Sequence, residues 1–209
     1  IYSLDENIGR LLDALDKSGQ ADNTVVIFTS DNGGLATAEG SPTCNAPLSE
    51  GKGWMYEGGT REPLIVCWPG VTEAGSICGV PISSPDFYPT LLEIAGLDLD
   101  PHTSVDGVSM VPLFEGTEHL DRDAIFWHYP HYGNQGGTPG SSVRAGDYKL
   151  IHFFEDDRVE LYNLRTDPGE NQDITTQKPA LAKKLQQMLG RWRESVEAMV
   201  PKPNPDWNS

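Results

Sequence analysis

The chain has 209 residues, enough for one sizeable core or for one core and a small satellite. Its 15 Lys and Arg against 31 Asp and Glu give a net charge of −16, which leaves no basic face of the kind nucleic-acid phosphates require. No apolar stretch approaches the ~18 residues of a membrane span, and an acidic protein that handles an anion needs concentrated positive charge from a metal ion or a placed Lys or Arg.

Residues 1–18 read as an amphipathic helix: Ile1, Leu4, Ile8, Leu11, Leu12 and Leu15 follow i, i+3/i+4 spacing, and Gly19 is a natural stop. The apolar, β-branched run Val25, Val26, Ile27, Phe28 within Thr24–Thr29 predicts a central strand buried on both faces of a parallel sheet. Ser30–Gly34 leaves that strand as a loop, and residues 35–62 are polar and glycine-rich without periodicity. Pro63–Trp68 predicts a second buried strand, closed by Pro69-Gly70, with Cys67 as a core residue. Asp86–Ala95 reads as a helix with Asp86 at its cap, Pro89 in its first turn and Gly96 behind it.

The texture changes near Glu115–Arg122. Ala124–His128, Ser142–Ala145, Tyr148–Phe154 and Arg158–Asn163 are short alternating runs joined by turns such as Gly146-Asp147, the pattern of a small antiparallel sheet. Pro179–Val200 predicts a closing helix with Leu181, Leu185, Met188, Leu189, Trp192 and Val196 on one face, followed by an irregular tail, Pro201–Ser209. The expected organisation is an α/β portion over 1–118 and a subdomain over 119–209 made of an antiparallel sheet and a packing helix. Cys44, Cys67 and Cys78 include no C-x-x-C pair and point to neither a disulfide framework nor a zinc site. The chain starts at Ile1, not Met, and reads as starting inside a domain.

Three places carry chemistry. Asp31-Asn32 brings two side-chain oxygens just past an apolar strand, where open α/β sheets place ligands; adjacent oxygen donors suit a hard cation, while Ser-Asp-Asn-Gly is equally good turn chemistry. Lys52, between Gly51 and Gly53, can approach a tetrahedral oxyanion unobstructed, or be a solvated loop lysine. His128-Tyr129-Pro130-His131-Tyr132 and the glycine-rich residues to Gly137 suit sugar hydroxyls and anionic substituents, or form a rigid packing loop. His102, His119 and His152 show no ligand-like neighbour. No G-x-S-x-G elbow, phosphate loop or H-E-x-x-H pair is present.

Taken in order, Ser30-Asp31-Asn32-Gly33-Gly34, Gly51-Lys52-Gly53, Tyr56-Glu57-Gly58-Gly59-Thr60-Arg61-Glu62-Pro63, Asp86-Phe87-Tyr88-Pro89-Thr90-Leu91, Gly146-Asp147-Tyr148-Lys149-Leu150 and Glu160-Leu161-Tyr162-Asn163-Leu164 with Asp167-Pro168 resemble the type I sulfatases of the alkaline phosphatase superfamily. The resemblance covers essentially the whole chain and corresponds to the C-terminal half of such enzymes. It implies the C-terminal part of an alkaline-phosphatase-like sandwich. It also implies that Asp31 and Asn32 are two ligands of an active-site Ca²⁺, that Lys52 contacts the substrate sulfate, and that His128 and His131 lie where a carbohydrate substrate is contacted. A sulfated small molecule or carbohydrate is then the expected partner, with no nucleic acid and no membrane, in an exported location.

The departure is the nucleophile. Neither Cys44-Asn45-Ala46-Pro47-Leu48 nor Cys78-Gly79-Val80-Pro81-Ile82 matches the formylglycine motif C/S-x-P-S-R or C/S-x-A-x-R. The family's paired N-terminal aspartates, further lysine and catalytic histidines lie upstream of the matching segment. The resemblance therefore implies half an active site, inactive alone. A sheet cut near its middle implies self-association or a separate chain carrying the N-terminal half. A phosphoryl- or phosphonate-cleaving relative and a non-catalytic carbohydrate-binding or assembly module are the competing expectations.

Overall fold

The computed structural model describes residues 1–202 and 204; most of the expected irregular tail therefore lies outside the described residues. In chain order the elements are α1 (Tyr2–Lys17), β1 (Val26–Thr29), α2 (Glu57–Thr60), β2 (Leu64–Cys67), α3 (Phe87–Ile94), α4 (Val111–Phe114), β3 (Ile125–Tyr129), β4 (Gly140–Ala145), β5 (Tyr148–Phe153), β6 (Val159–Asn163) and α5 (Pro179–Ser195). They form two compact units: residues 1–29 with 63–121, and residues 30–62 with 122 onward.

In the first unit, α1 forms where the apolar spacing predicts, yet none of its residues is buried and Leu4 and Leu11 stand open. The expectation for β1 needs correction. It pairs antiparallel with β2, in register Val26↔Cys67 to Thr29↔Leu64, and Phe28 is 40% and Ile65 62% exposed. An apolar run on both faces says that a strand wants cover; it does not say which strand pairs with it or in which direction. Cys67 is likewise exposed, as are Cys44 and Cys78. Asp86 is the N-cap of α3 as expected; its side chain, however, is spent on the preceding single turn Ser84–Asp86, where it closes a capping box with Ser83. Asp86, fully buried, accepts from the Ser83 amide at 2.7 Å and the Val108 amide at 3.0 Å. Thr90 donates to the Asp86 carbonyl and accepts from the Met110 amide at 2.8 Å, which fastens 107–111 to the start of α3.

The second unit is built on a four-stranded antiparallel meander, β3-β4-β5-β6. Gly146, at φ +56°, makes the two-residue turn between Ala145 and Tyr148. Successive side chains point to opposite faces, and here both faces are covered. Val143, Leu150 and Leu161 pack against Ala182, Leu185 and Leu189 of α5. Phe126 stacks on Trp192 with ring centroids 4.8 Å apart. On the other face, Ile151, Phe153, Tyr162 and Leu164 pack around Met55 and Tyr56 of the segment that leads into α2. α5 ends at Ser195, five residues short of the expected Val200, and Val196 is exposed.

Candidate functional site

Asp31-Asn32 and Lys52 both belong to the second unit, on two loops that meet backbone to backbone. A Cβ on Gly33 would lie 1.8 Å from the Gly58 carbonyl oxygen, one on Gly51 2.3 Å from that of Gly34, and one on Gly59 2.3 Å from that of Trp54. Only glycine permits such approach. The Gly33 amide donates to Gly59 O at 3.2 Å, and the Lys52 amide to Gly34 O at 3.2 Å. Asn45 bridges the loops, donating through Nδ2 to Gly34 O at 2.8 Å and to Glu50 O at 2.9 Å. The two oxygen donors and the ammonium expected from sequence are thereby carried on adjoining backbone, with Asp31 and Lys52 exposed and Asn32 half-buried.

Glu62 returns the chain to this place. Burial, and then the charge of Asp31, push its carboxyl above the usual range. Its Oε1 is buried without a hydrogen-bond partner. Asp31, Asn32 and Glu62 are hard oxygen donors of the type that calcium or magnesium takes. Among the described residues no three His, Cys, Asp or Glu side chains converge on one point, and calcium takes six to eight oxygens. The donor chemistry thus fits a hard cation, and the ligand set is partial.

The third candidate region divides. Its far end docks beside Lys52. Trp54 Nε1 donates to the Gln135 carbonyl at 3.1 Å, Thr37 Oγ1 donates to the same carbonyl, and a Cβ on Gly137 would lie 2.0 Å from Gly53 O. Its near end turns elsewhere. Both ring nitrogens of His128 are engaged by the protein, Nδ1 with Ser141 Oγ at 2.7 Å and Nε2 with the Met199 carbonyl at 2.9 Å. His131 is exposed and meets Tyr129 edge-on at 5.5 Å.

Two features escaped the sequence reading. His152 does have a partner: Nε2 lies 2.6 Å from Asp157 Oδ1, and Nδ1 3.2 Å from Arg193, in an open groove of about 580 Å³. More consequential is a buried ionic cluster behind α2. Lys149 Nζ, wholly buried, lies 3.0 Å from Glu57 Oε1 and 3.2 Å from Glu170 Oε1. Arg144 approaches Glu57 Oε2 at 3.5 Å. A lysine sharing a strand face with Ile151 and Phe153 is the sequence signal for such a pair, since lysine is almost never fully buried alone.

The family described as N-sulphoglucosamine sulphohydrolase, C-terminal, matches residues 50–195. The family described as Sulfatase matches residues 1–97. The chain belongs to the sulfatase family. A sulfatase of Formosa agariphila is 39% identical over 90% of this chain and 38% of its own length. The N-acetylglucosamine-6-O-sulfatase of Bacteroides thetaiotaomicron is 35% identical over 99% of this chain and 36% of its own length. Among solved structures, Ps i-CgsB in complex with k-i-k-neocarrahexaose superposes with a TM-score of 0.81 at 31% identity, over 91% of this chain and 41% of that one. The fold is the mixed α/β, alkaline-phosphatase-like fold of these sulfatases. The chain spans about two fifths of the length of the relatives it matches.

Proposed function

We propose that this chain carries part of the active site of a calcium-dependent sulfatase acting on a sulfated carbohydrate. In this reading Asp31 and Asn32 are two of the calcium ligands and Lys52 contacts the sulfate group. The observation that carries it is the glycine-packed juncture, which brings hard oxygen donors and an exposed ammonium onto adjoining loops in a chain of net charge −16.

Bound calcium would supply Lewis-acid polarisation of the sulfate oxygens. Asp31 and Asn32 hold that charge at the end of their loop. Lys52 stabilises negative charge as it builds on the sulfate oxygens, and the Gly51 and Gly53 flanks let the anion come close. The exposed rings of Tyr132 and His131 suit the sugar faces and hydroxyls of a substrate like that bound by the neocarrahexaose complex. His128, held at both ring nitrogens, is free for such a contact only if the Met199 carbonyl gives way.

The test is Lys52→Ala in the full product of the gene, assayed on sulfated oligosaccharides. Turnover should fall by ~10²–10³, the usual cost of removing one electrostatic contact to a transition state. Unchanged turnover overturns the assigned role. The chain by itself hydrolyses no sulfate ester and binds calcium weakly, because its ligand set is partial. Stoichiometric tight Ca²⁺ binding by titration calorimetry would contradict this.

A further inference from the structure

Both loops of the site rest on one turn, α2, and α2 is held from behind by buried charge. Gly58 packs on the carbonyls of Ser49 and Glu50, where a Cβ would come within 2.3 and 2.5 Å, and its amide donates to Ser49 O at 2.8 Å. That contact fixes the approach to Gly51 and Lys52. The carbonyl of the next residue, Gly59, accepts from the Gly33 amide and so fixes the exit from Asp31-Asn32. Whatever sets the position of Gly58 and Gly59 sets both loops.

What sets it is a closed ring of ionic contacts. Glu170 Oε2 accepts from the Glu57 amide at 2.6 Å, and so ties the first residue of α2 to the loop after β6. Its other oxygen lies 3.2 Å from Lys149 Nζ. Lys149 donates to Glu57 Oε1 at 3.0 Å and to Thr60 Oγ1 at 3.3 Å, and so grips both ends of α2. Arg144 at 3.5 Å and the half-exposed Arg61 at 3.8 Å balance Glu57 Oε2. The Trp127 ring lies beneath Lys149, its centroid 5.8 Å from Nζ. Burial pushes the Glu170 carboxyl upward against the opposing pull of Lys149.

Such a cluster is a costly way to gain stability. Desolvation offsets most of its attraction, and an apolar set of the same volume commonly serves as well or better. Its distinguishing property is direction. An apolar contact lets a turn slide, whereas two hydrogen bonds and an ion pair from one ammonium define its place.

We propose that Lys149 is a positioning residue of the sulfatase site: through Glu57, Thr60 and Glu170 it fixes α2, and α2 in turn fixes the spacing between Asp31-Asn32 and Lys52. The proposal rests on the function reading above only for the roles of those three residues. The geometric part stands without it.

The experiment uses the chain with two variants. Lys149→Met removes the ammonium and keeps the stem. The triple variant Lys149→Met, Glu57→Gln, Glu170→Gln also removes the stranded carboxylates, and remains foldable if the single variant is not. Hydrogen exchange is followed residue by residue by NMR, and inorganic sulfate is titrated as the probe at the Lys52 and Gly53 amides. In Lys149→Met, exchange at Gly33 and at residues 51–60 should rise about tenfold or more, with the strands β3 and β6 little changed. Sulfate affinity should fall about tenfold. In the triple variant thermal stability should recover while sulfate affinity stays low, because neutral amides satisfy burial without restoring the ammonium's three contacts. Exchange that rises evenly through the unit, or sulfate affinity that recovers together with stability, overturns the proposal by reducing Lys149 to a structural residue. Failure of sulfate to perturb Lys52 even in the unsubstituted chain counts against the function reading, and the exchange pattern then judges the positioning role by itself.

Discussion

At the scale of single residues, the site is made by what is absent. Gly33, Gly51, Gly58 and Gly59 each face a carbonyl oxygen closer than any Cβ could tolerate. Gly33→Ala is the sharpest case, with Gly58 O 1.8 Å from the added carbon and backbone, not a flexible side chain, as the obstacle. The expected result is a destabilisation of about 1–3 kcal/mol or more, typical of overpacking, with the two loops forced apart. A lowered urea midpoint together with shifted Lys52 and Gly53 amide resonances would record it. A midpoint equal to the unsubstituted chain would show that the loops can part freely. The identities of Asp31, Asn32 and Lys52 were legible in the ordered motifs, because each is a chemistry-bearing side chain. The contacts among their glycines were not, since nothing in a glycine says what it touches. Glu62 stands in the sequence only as one member of the Arg61-Glu62-Pro63 run, and its orphaned oxygen beside Asp31 emerges only from the fold.

At the scale of elements, the meander was the most legible part, because period-two alternation and the Gly146-Asp147 turn both specify antiparallel pairing. β1 was the least legible, because a run that is apolar throughout carries no face. The link between β6 and α5 offers a test of charge. Burial opposes ionisation of Asp173, yet hydrogen bonds from the Thr175 hydroxyl and from the amides of Leu161 and Thr175, with Arg158 nearby, outweigh it and hold its carboxyl below the usual range. Asp167 is held low in the same way, its burial overcome by the Asn171 side chain and the Gln172 and Asn171 amides. A carboxylate with a depressed native pKa stabilises the fold above its unfolded value and loses that contribution as pH falls through the native one. Stability should therefore decline below ~pH 4, the ordinary aspartate range. Asp173→Asn should be less stable than the unsubstituted chain at pH 6, with the gap closing on acidification. Urea midpoints across pH 2–6 decide it, and a gap that stays constant would mean that the Asp173 charge contributes nothing.

At the scale of the whole molecule, apolar surface is left open on the first unit. Ile1 just before α1, Leu4 and Leu11 on it, and Phe28 and Ile65 on the β1-β2 pair, are large and exposed. A soluble chain rarely leaves such groups uncovered together, and β1 and β2 are both short strands in a two-stranded sheet. The expected behaviour of the chain alone is self-association, and its suppression by a polypeptide carrying the N-terminal portion of a sulfatase. Size-exclusion with light scattering checks this, and a clean monomer over a tenfold range of concentration would refute it. Among the described residues no helix is long and apolar enough to cross a membrane. The meander unit needs no such cover, since α5 fills one face of its sheet and the residues around Met55 fill the other.

The glycine juncture has a consequence for heredity. Any missense change in a glycine codon adds atoms and none can remove them, so variation at Gly33, Gly51, Gly58 and Gly59 runs in one direction only, toward crowding. A lineage that needed a different gap between the two loops could not reach it by trimming or swapping residues at the contact. It would have to change the partners behind the turn.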